Sequence, residues 1–308
     1  VLFAYADVGH AGLALLLERG APLACVYTYS DRAGEHIWFP SVARLAAQRG
    51  IAVRTDRDLN DPRELADLSA LAPDLILSLY YRDLLPDAVL SLPPKGAFNM
   101  HGSLLPKYRG RAPVNWAVLN GETETGATLH VMTARADAGD IVDQQAVPIG
   151  PDDTAAVVQE RVRGAALLVL DRQLDALLAG RAPRRAQPTL GAYHGRRTPD
   201  DGRIDWNASA RSVHDLVRAV SHPYPGAFGE LGGQRVRIWR TRVATQPIAG
   251  AAPGTATLVD NRLHVTCGDG GAVEILRSQR DGAVEEDGAA LGRALGLAPL
   301  TSANEPAR

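Results

Sequence analysis

The feature that most restricts the fold is an alternation in the first hundred residues, where short apolar runs are separated by stretches of helical periodicity. Residues 1–5, 23–29, 51–54, 75–79 and 95–100 read as strands, while 11–18 and 39–48 carry apolar positions at helical spacing. The run at 75–79 is broken only by Ser78, which suits a strand covered on both faces. Gly50 supplies a stop signal between the second helix and the next strand. Such alternation favours an α/β fold with a doubly wound, mostly parallel sheet.

Past about residue 128 the pattern changes. Residues 128–132 and 141–147 read as strands around a loop of charged and small residues, and 154–178 as a long helix behind Pro151-Asp152-Asp153. Residues 181–188, rich in Arg and Pro, form a connection. From residue 204 onward a short helix over 210–220 precedes strand-like runs at 236–239, 255–259, 263–266 and 273–276, divided by Gly and Asp-Asn turn signals. A second, small barrel or sandwich is expected there.

Charge and composition narrow the function. Among 308 residues, 33 basic and 35 acidic side chains leave a formal charge of −2, which disfavours a broad basic face for nucleic acid or anionic membrane. Cys25 and Cys267 lie far apart without CxxC spacing, giving no support for a disulfide framework or a thiolate metal site. There is no apolar stretch of spanning length and no leader pattern at the start, so the expectation is a cytoplasmic protein with no membrane span. The chain opens at Val1 directly in a strand-like run, so a few residues are expected to precede it, and residues 301–308 read as a tail or the beginning of a linker. The sequence contains no GxxxxGK[ST] loop, HExxH or GxSxG elbow, and Asp7-Val-Gly9-His-Ala-Gly12 offers only GxxG.

The most informative segment is Gly96-Ala-Phe-Asn-Met-His-Gly-Ser-Leu-Leu-Pro106. Side chains alternate along a strand, so Asn99 and His101 share one face while Phe98 and Met100 share the other. An amide and an imidazole side by side near the carboxyl end of an apolar parallel strand lie where open α/β sheets bind ligands. A hydrogen-bonded structural pair is the plainer alternative. Asp137 and Asp140 sit in the loop between the next two strands; either is a turn residue, or a carboxylate that orients His101 for acid–base work. Arginines cluster at Lys107-Tyr-Arg-Gly-Arg111 and at Arg196-Arg197. Such clusters solvate a surface or, beside a cleft, clamp carboxylates and pyrophosphates.

Phe98-Asn-Met-His-Gly-Ser-Leu-Leu-Pro-Lys-Tyr-Arg-Gly-Arg-Ala-Pro113 resembles the signature of the folate-dependent formyltransferases. Its continuation through Asn115-Trp116, Asn120-Gly-Glu-Thr-Glu-Thr-Gly126 and Arg135-Ala-Asp-Ala-Gly139 looks most like one branch. That branch formylates UDP-4-amino-4-deoxy-L-arabinose in lipid A modification and is the N-terminal half of a bifunctional polymyxin-resistance enzyme. The likeness extends through Ser41-Val-Ala-Arg-Leu-Ala-Ala47, Arg196-Arg-Thr-Pro-Asp-Asp201 and Pro225-Gly-Ala-Phe228. The resemblance implies a Rossmann-like domain over 1–200 and an OB-like β-barrel domain over 201–308. It also implies 10-formyltetrahydrofolate as donor, an amino sugar nucleotide as acceptor, and no metal. Carried over by motif, Asn99, His101 and Asp137 are the catalytic trio. Asp83, Leu84, Leu85, Arg111, Thr133, Ala134, Arg135 and Ala136 become donor-binding positions, and Arg196 and Arg197 acceptor-binding ones. Asp83 stands where relatives carry a different side chain, so its backbone is the better-supported contact.

A methionyl-tRNA formyltransferase would share the Asn-x-His-Gly core. Its early loop is typically basic, whereas this one reads Asp31-Arg-Ala-Gly-Glu-His-Ile-Trp-Phe-Pro40. Other acceptors, such as a dTDP-linked 4-amino sugar, stay open, as does oligomeric state. Loss of any one of the trio would instead favour a non-catalytic binding module. An oligonucleotide-binding barrel would need interleaved basic and aromatic strand positions, which the C-terminal strands lack.

Overall fold

The computed structural model of the chain describes residues 1–30, 37–244 and 250–300; most of the acidic early loop and the expected tail at 301–308 lie outside them. The described residues cluster into two units. One comprises Val1–Pro113, Glu124–Pro148 and Gln159–Gly195, and the other Val114–Thr123, Ile149–Val158 and the chain from Arg196 onward.

In the first unit the chain runs β1 (Leu2–Ala4), α1 (Ala6–Glu18), β2 (Cys25–Thr28), α2 (Val42–Gln48), β3 (Ala52–Thr55), α3 (Pro62–Ala70), β4 (Ile76–Leu79), α4 (Asp87–Leu90), β5 (Ala97–His101) and β6 (Arg109–Gly110). After α5 (Pro113–Leu119), which from Val114 on belongs to the second unit, come β7 (Glu124–Val131), β8 (Ile141–Pro148), α6 (Ala155–Leu178), whose residues up to Val158 also belong to the second unit, and β9 (Tyr193–His194). Seven strands form one sheet in the order β3-β2-β1-β4-β5-β7-β8. The first five are parallel; β7 and β8 add antiparallel. The mostly parallel, doubly wound sheet expected from the alternation is therefore present.

Local chemistry accounts for the elements. Ser41 caps α2, accepting from Arg44 N at 3.3 Å, so this helix begins three residues later than its apolar stripe suggests. Asp61 caps α3 with Pro62 in the first turn, a start signal in a segment with too few apolar residues to announce a helix. Helix α1 lies close on the sheet because Gly9 and Gly12 carry no Cβ: one on Gly9 would sit 3.1 Å from both Ala4 C and Leu79 O. All four residues of β4 are buried, as are Phe98 and Met100 of β5 at 1% exposure each. Burying two such side chains contributes about 1.5–3 kcal/mol apiece. The chain leaves β1 toward β2 and β3, then returns to β4 on the other side, creating a crevice at the carboxyl ends of β1 and β4.

The second unit holds the 3-10 turn Pro199–Gly202, α7 (Ala210–Val220), β10 (Ala227–Leu231), β11 (Gln234–Val243), β12 (Ala256–Val259), β13 (Arg262–Thr266), β14 (Ala272–Arg280) and α8 (Gly288–Ala294). Its strands make an antiparallel sheet in the order β10-β11-β14-β13-β12. Among the described residues no helix is long and apolar enough to cross a membrane.

Helix α7 carries a buried ion pair in which Arg218 Nε donates to Asp215 Oδ1 at 2.7 Å, the side chains being 3% and 6% exposed. Arg211, half exposed, reaches the other oxygen at 3.1 Å. Asp215→Ala strands a buried guanidinium and is expected to cost about 3–5 kcal/mol in urea unfolding. Arg211→Ala should cost less than about 1 kcal/mol, because its charge is solvated.

Candidate active site

The register of β5 on β7 builds the site. Asn99 lies directly opposite His130, and His101 opposite Thr128. Residues on one face of an antiparallel pair alternate in step, so four polar side chains form a patch on the face opposite Phe98 and Met100. Thr128 pins the chain beyond β5: its hydroxyl donates to Ser103 O at 2.6 Å and accepts from Leu105 N at 3.1 Å and Gln144 Nε2 at 2.9 Å.

Asp137 arrives from the turn after β7 in the left-handed region, with φ of 52°. Gly139 permits this return, since a Cβ there would meet Val131 O at 2.0 Å. Gln187 Nε2 donates to the carbonyls of Asp137 at 2.9 Å and Gly139 at 2.8 Å, and Arg109 donates to Ala136 O through Nε at 3.1 Å and Nη2 at 2.6 Å. The Asp137 side chain is only 12% exposed. Its Oδ2 accepts from Gly110 N at 2.8 Å. Its Oδ1 faces His130 Nε2 at 3.3 Å, Asn99 Nδ2 at 3.4 Å and His101 Nδ1 at 3.6 Å. The structure thus brings Asn99, His101 and Asp137 together and adds His130, which the sequence reading did not single out. The signal for it was the alternation of Thr128 and His130 along a recognised strand.

Burial alone would raise the Asp137 carboxyl. The His101 imidazole and the hydrogen bonds from His130 and Gly110 N–H outweigh it and hold the group well below the usual carboxylate range. The His101 imidazole moves down as well: its burial outweighs the nearby carboxylate, which favours the charged ring. The carboxylate pulls the ring toward its charged form, but desolvation is larger. His101 Nε2 lies 2.8 Å from Tyr108 O. A carbonyl only accepts, so Nε2 carries the hydrogen and Nδ1 is the basic nitrogen, turned toward Asp137.

The positions expected to bind a donor converge on the segment Arg109–Arg111. Arg111 Nη2 donates to Arg82 O at 3.1 Å, tying in the loop that carries Asp83, Leu84 and Leu85, while Arg109 and Gly110 hold the turn 133–137. Asp83 bonds Tyr29 through both its carboxylate, at 2.8 Å, and its amide N, at 3.1 Å. Leu84 is 68% exposed, whereas Leu85 is buried in the core with Phe3, Ile76 and Val89. Thr133, Ala134 and Arg135 are exposed, Thr133 Oγ1 donates to Arg135 O at 2.9 Å, and Ala136 is half-buried. A cleft of about 420 Å³ opens beside Asp83 and Leu84, lined also by Tyr29, Asp56, Asn60 and Tyr81.

Arg196 and Arg197 belong to the second unit. Arg196 is exposed. The Arg197 guanidinium lies 4.7 Å from the Trp116 ring centre and donates to Asp201 O at 2.8 Å. Among the described residues no group of three or more His, Cys, Asp or Glu side chains could hold a metal ion.

A neutral His101 makes stability acid-sensitive. The unfolded chain takes up a proton near pH 6.5 that the buried ring resists, so its contribution is complete above that pH and is lost on acidification. In urea titrations between pH 7 and pH 5, stability should fall less steeply for His101→Gln than for the parent.

Residues 18–173 match the model of the formyl transferase family, and residues 196–294 that of the formyl transferase C-terminal domain. Solved structures with this fold include the N-formyltransferase from Helicobacter canadensis in complex with folinic acid and dTDP-3-aminofucose. It has a TM-score of 0.70 and 19% identity over 91% of this chain and 98% of its own. A sugar N-formyltransferase from Shewanella sp. FDAARGOS_354 gives 0.61 and 20% identity over 80% of this chain and 97% of its own. HypX from Aquifex aeolicus, solved with tetrahydrofolic acid, gives 0.61 and 19% identity over 97% of this chain, which spans 48% of HypX.

Proposed function

The chain belongs to the formyl transferase family, and from that premise we propose that it moves a formyl group from 10-formyltetrahydrofolate to the amine of a nucleotide-linked amino sugar. The observation that carries this reading is the convergence of Asn99, His101 and the Asp137 carboxylate at the carboxyl end of β5. The finer reading, on the motifs from Phe98 to Gly139, is that the acceptor is UDP-4-amino-4-deoxy-L-arabinose and that the enzyme works in the cytoplasm on lipid A modification. A dTDP-linked amino sugar is the second reading, favoured by the sugar nucleotide bound in the Helicobacter canadensis structure.

In this reaction the acceptor nitrogen forms a bond to the formyl carbon, and the bond from that carbon to folate N10 breaks. The amine loses a proton and N10 gains one. His101 is assigned the transfer of that proton, through Nδ1 and the adjoining carboxylate. Asn99 is assigned the formyl oxygen, where an amide donor meets the negative charge that develops as the new bond forms. Asp137 holds the imidazole and balances a transient positive charge on it. Asp83, Leu84, Leu85, Arg111 and Thr133–Ala136 are assigned to the donor; Arg196 and Arg197, as charged forks, to the acceptor's phosphates.

Incubation with 10-formyltetrahydrofolate and a panel of amino sugar nucleotides should show UDP-4-amino-4-deoxy-L-arabinose formylated fastest; turnover of another member alone replaces the acceptor assignment. His101→Ala and Asp137→Ala should each lower kcat by about 1,000-fold. Asn99→Ala should lower it by about 100- to 1,000-fold. Near-normal turnover by the His101 or Asp137 variant refutes the assigned roles.

A further inference from the structure

A cleft of about 540 Å³ in the second unit is lined by none of the residues assigned above to catalysis, donor or acceptor. That volume suits a small organic ligand. A break in the sheet shapes one wall. Ile238 of β11 pairs with Ser278 of β14 and Arg240 with Arg277, which leaves Trp239 as an extra residue between them. Neighbours in a regular strand point to opposite faces, whereas a bulge re-aims them. Trp239 and Arg240 accordingly both line the cleft.

Three kinds of chemistry meet there. The His222 ring lies flat on Trp239, with centres 3.7 Å apart and planes 16° from parallel. Its Nε2 donates to Glu285 Oε1 at 2.6 Å, which orients the ring, and the side chain is 56% exposed, leaving a face for a flat ligand to stack on. Arg240 and Arg277 stand directly opposite in register, an unfavourable placement of like charges. Arg277 is answered by Glu285 Oε2 at 3.2 Å, whereas Arg240 is exposed and makes no ion pair among the described residues. An anion set between the two guanidinium groups turns that repulsion into attraction. Carboxylates line the cleft as well. Glu285 is engaged as above, and Asp153 Oδ2 accepts from Gly150 N at 2.5 Å. Asp152 is 66% exposed, and His214 Nε2, 3.5 Å from it, already gives its hydrogen to Pro151 O at 3.0 Å. Its oxygens suit sugar hydroxyls, which acidic side chains hold in dinucleotide sites. A bare anion would meet these carboxylates and leave the stacking face unused; a ligand joining a flat ring, hydroxyls and an anionic group uses all three. We propose that this cleft binds a nucleoside phosphate, with the base on His222, the ribose hydroxyls on Asp152 and the phosphate on Arg240 and Arg277. Stacking accepts any base, because every base has a π-face.

The test measures binding alone, so it stands whether or not the chain transfers a formyl group. The full chain labelled with 15N-histidine is titrated with uridine or adenosine 5′-monophosphate, and separately with inorganic phosphate. The His222 ring signals, identified by their loss in His222→Ala, should move saturably with each nucleotide and show cross-relaxation to its base protons. Inorganic phosphate should bind at least about 10-fold more weakly, and Arg240→Ala should weaken nucleotide binding about 10-fold. Arg197→Ala, which alters the fork assigned to the acceptor, should leave the His222 titration as in the parent. The proposal is overturned if neither nucleotide moves the His222 signals at about 10 mM, well above a weak dissociation constant. It is equally overturned if phosphate alone binds as tightly, if folded Arg240→Ala binds as the parent does, or if the shift disappears in Arg197→Ala.

Discussion

A buried negative charge organises this site. Taking the Asp137 carboxylate out of water costs several kcal/mol unless polar partners replace the lost solvent. Its partners come from separate parts of the chain: the Gly110 amide from β6, Asn99 and His101 from β5, and His130 from β7. The same carboxylate that holds the imidazole therefore fixes where three strands and its own turn stand relative to one another. Replacing it removes a reacting partner and also the reason for the local geometry.

Backbone conformation around the carboxylate is correspondingly tight. Tyr80 after β4, Tyr108 and Ala112 around β6, and Asp137 itself all have positive φ without being glycine. Each such conformation costs on the order of 1–3 kcal/mol and persists only where surroundings over-determine it. Those surroundings include the paired donors of Arg109 on Ala136 O, the two bonds from Gln187, and the short parallel ladder between Arg109–Gly110 and Tyr193–His194. Strain and the polar cluster share one end of the sheet, the end at which open α/β folds bind ligands.

Much of this was legible in the sequence, for identifiable reasons. Buried parallel strands produce continuous apolar runs, so β4 was visible within one residue, and the long apolar spacing of α6 gave its extent to a residue at the start. The shared face of Asn99 and His101 followed from strand alternation alone. What escaped needed information that a single sequence lacks. His130 matters because of its register opposite Asn99, and register is a pairing between distant segments rather than a property of either. Helix α3 was missed because its stability draws on Asp61, Pro62 and two buried residues, Glu64 and Leu68, rather than on an apolar stripe. Strand β11 runs from Gln234 to Val243, well beyond the expected 236–239, because arginines at 235, 237, 240 and 242 interrupt its apolar residues.

The two units are interleaved along the chain, with Val114–Thr123 and Ile149–Val158 assigned to the second although sequence belonging to the first follows each of them. No single cut in the polypeptide can release either one whole. Exchange of gene segments between relatives therefore cannot trade these halves as cassettes with one crossover, and a recombinant joined at the Gly195–Arg196 bond inherits Val114, Ala117 and Val118 from the parent of its amino-terminal part, to be accommodated by the other parent's carboxyl-terminal part.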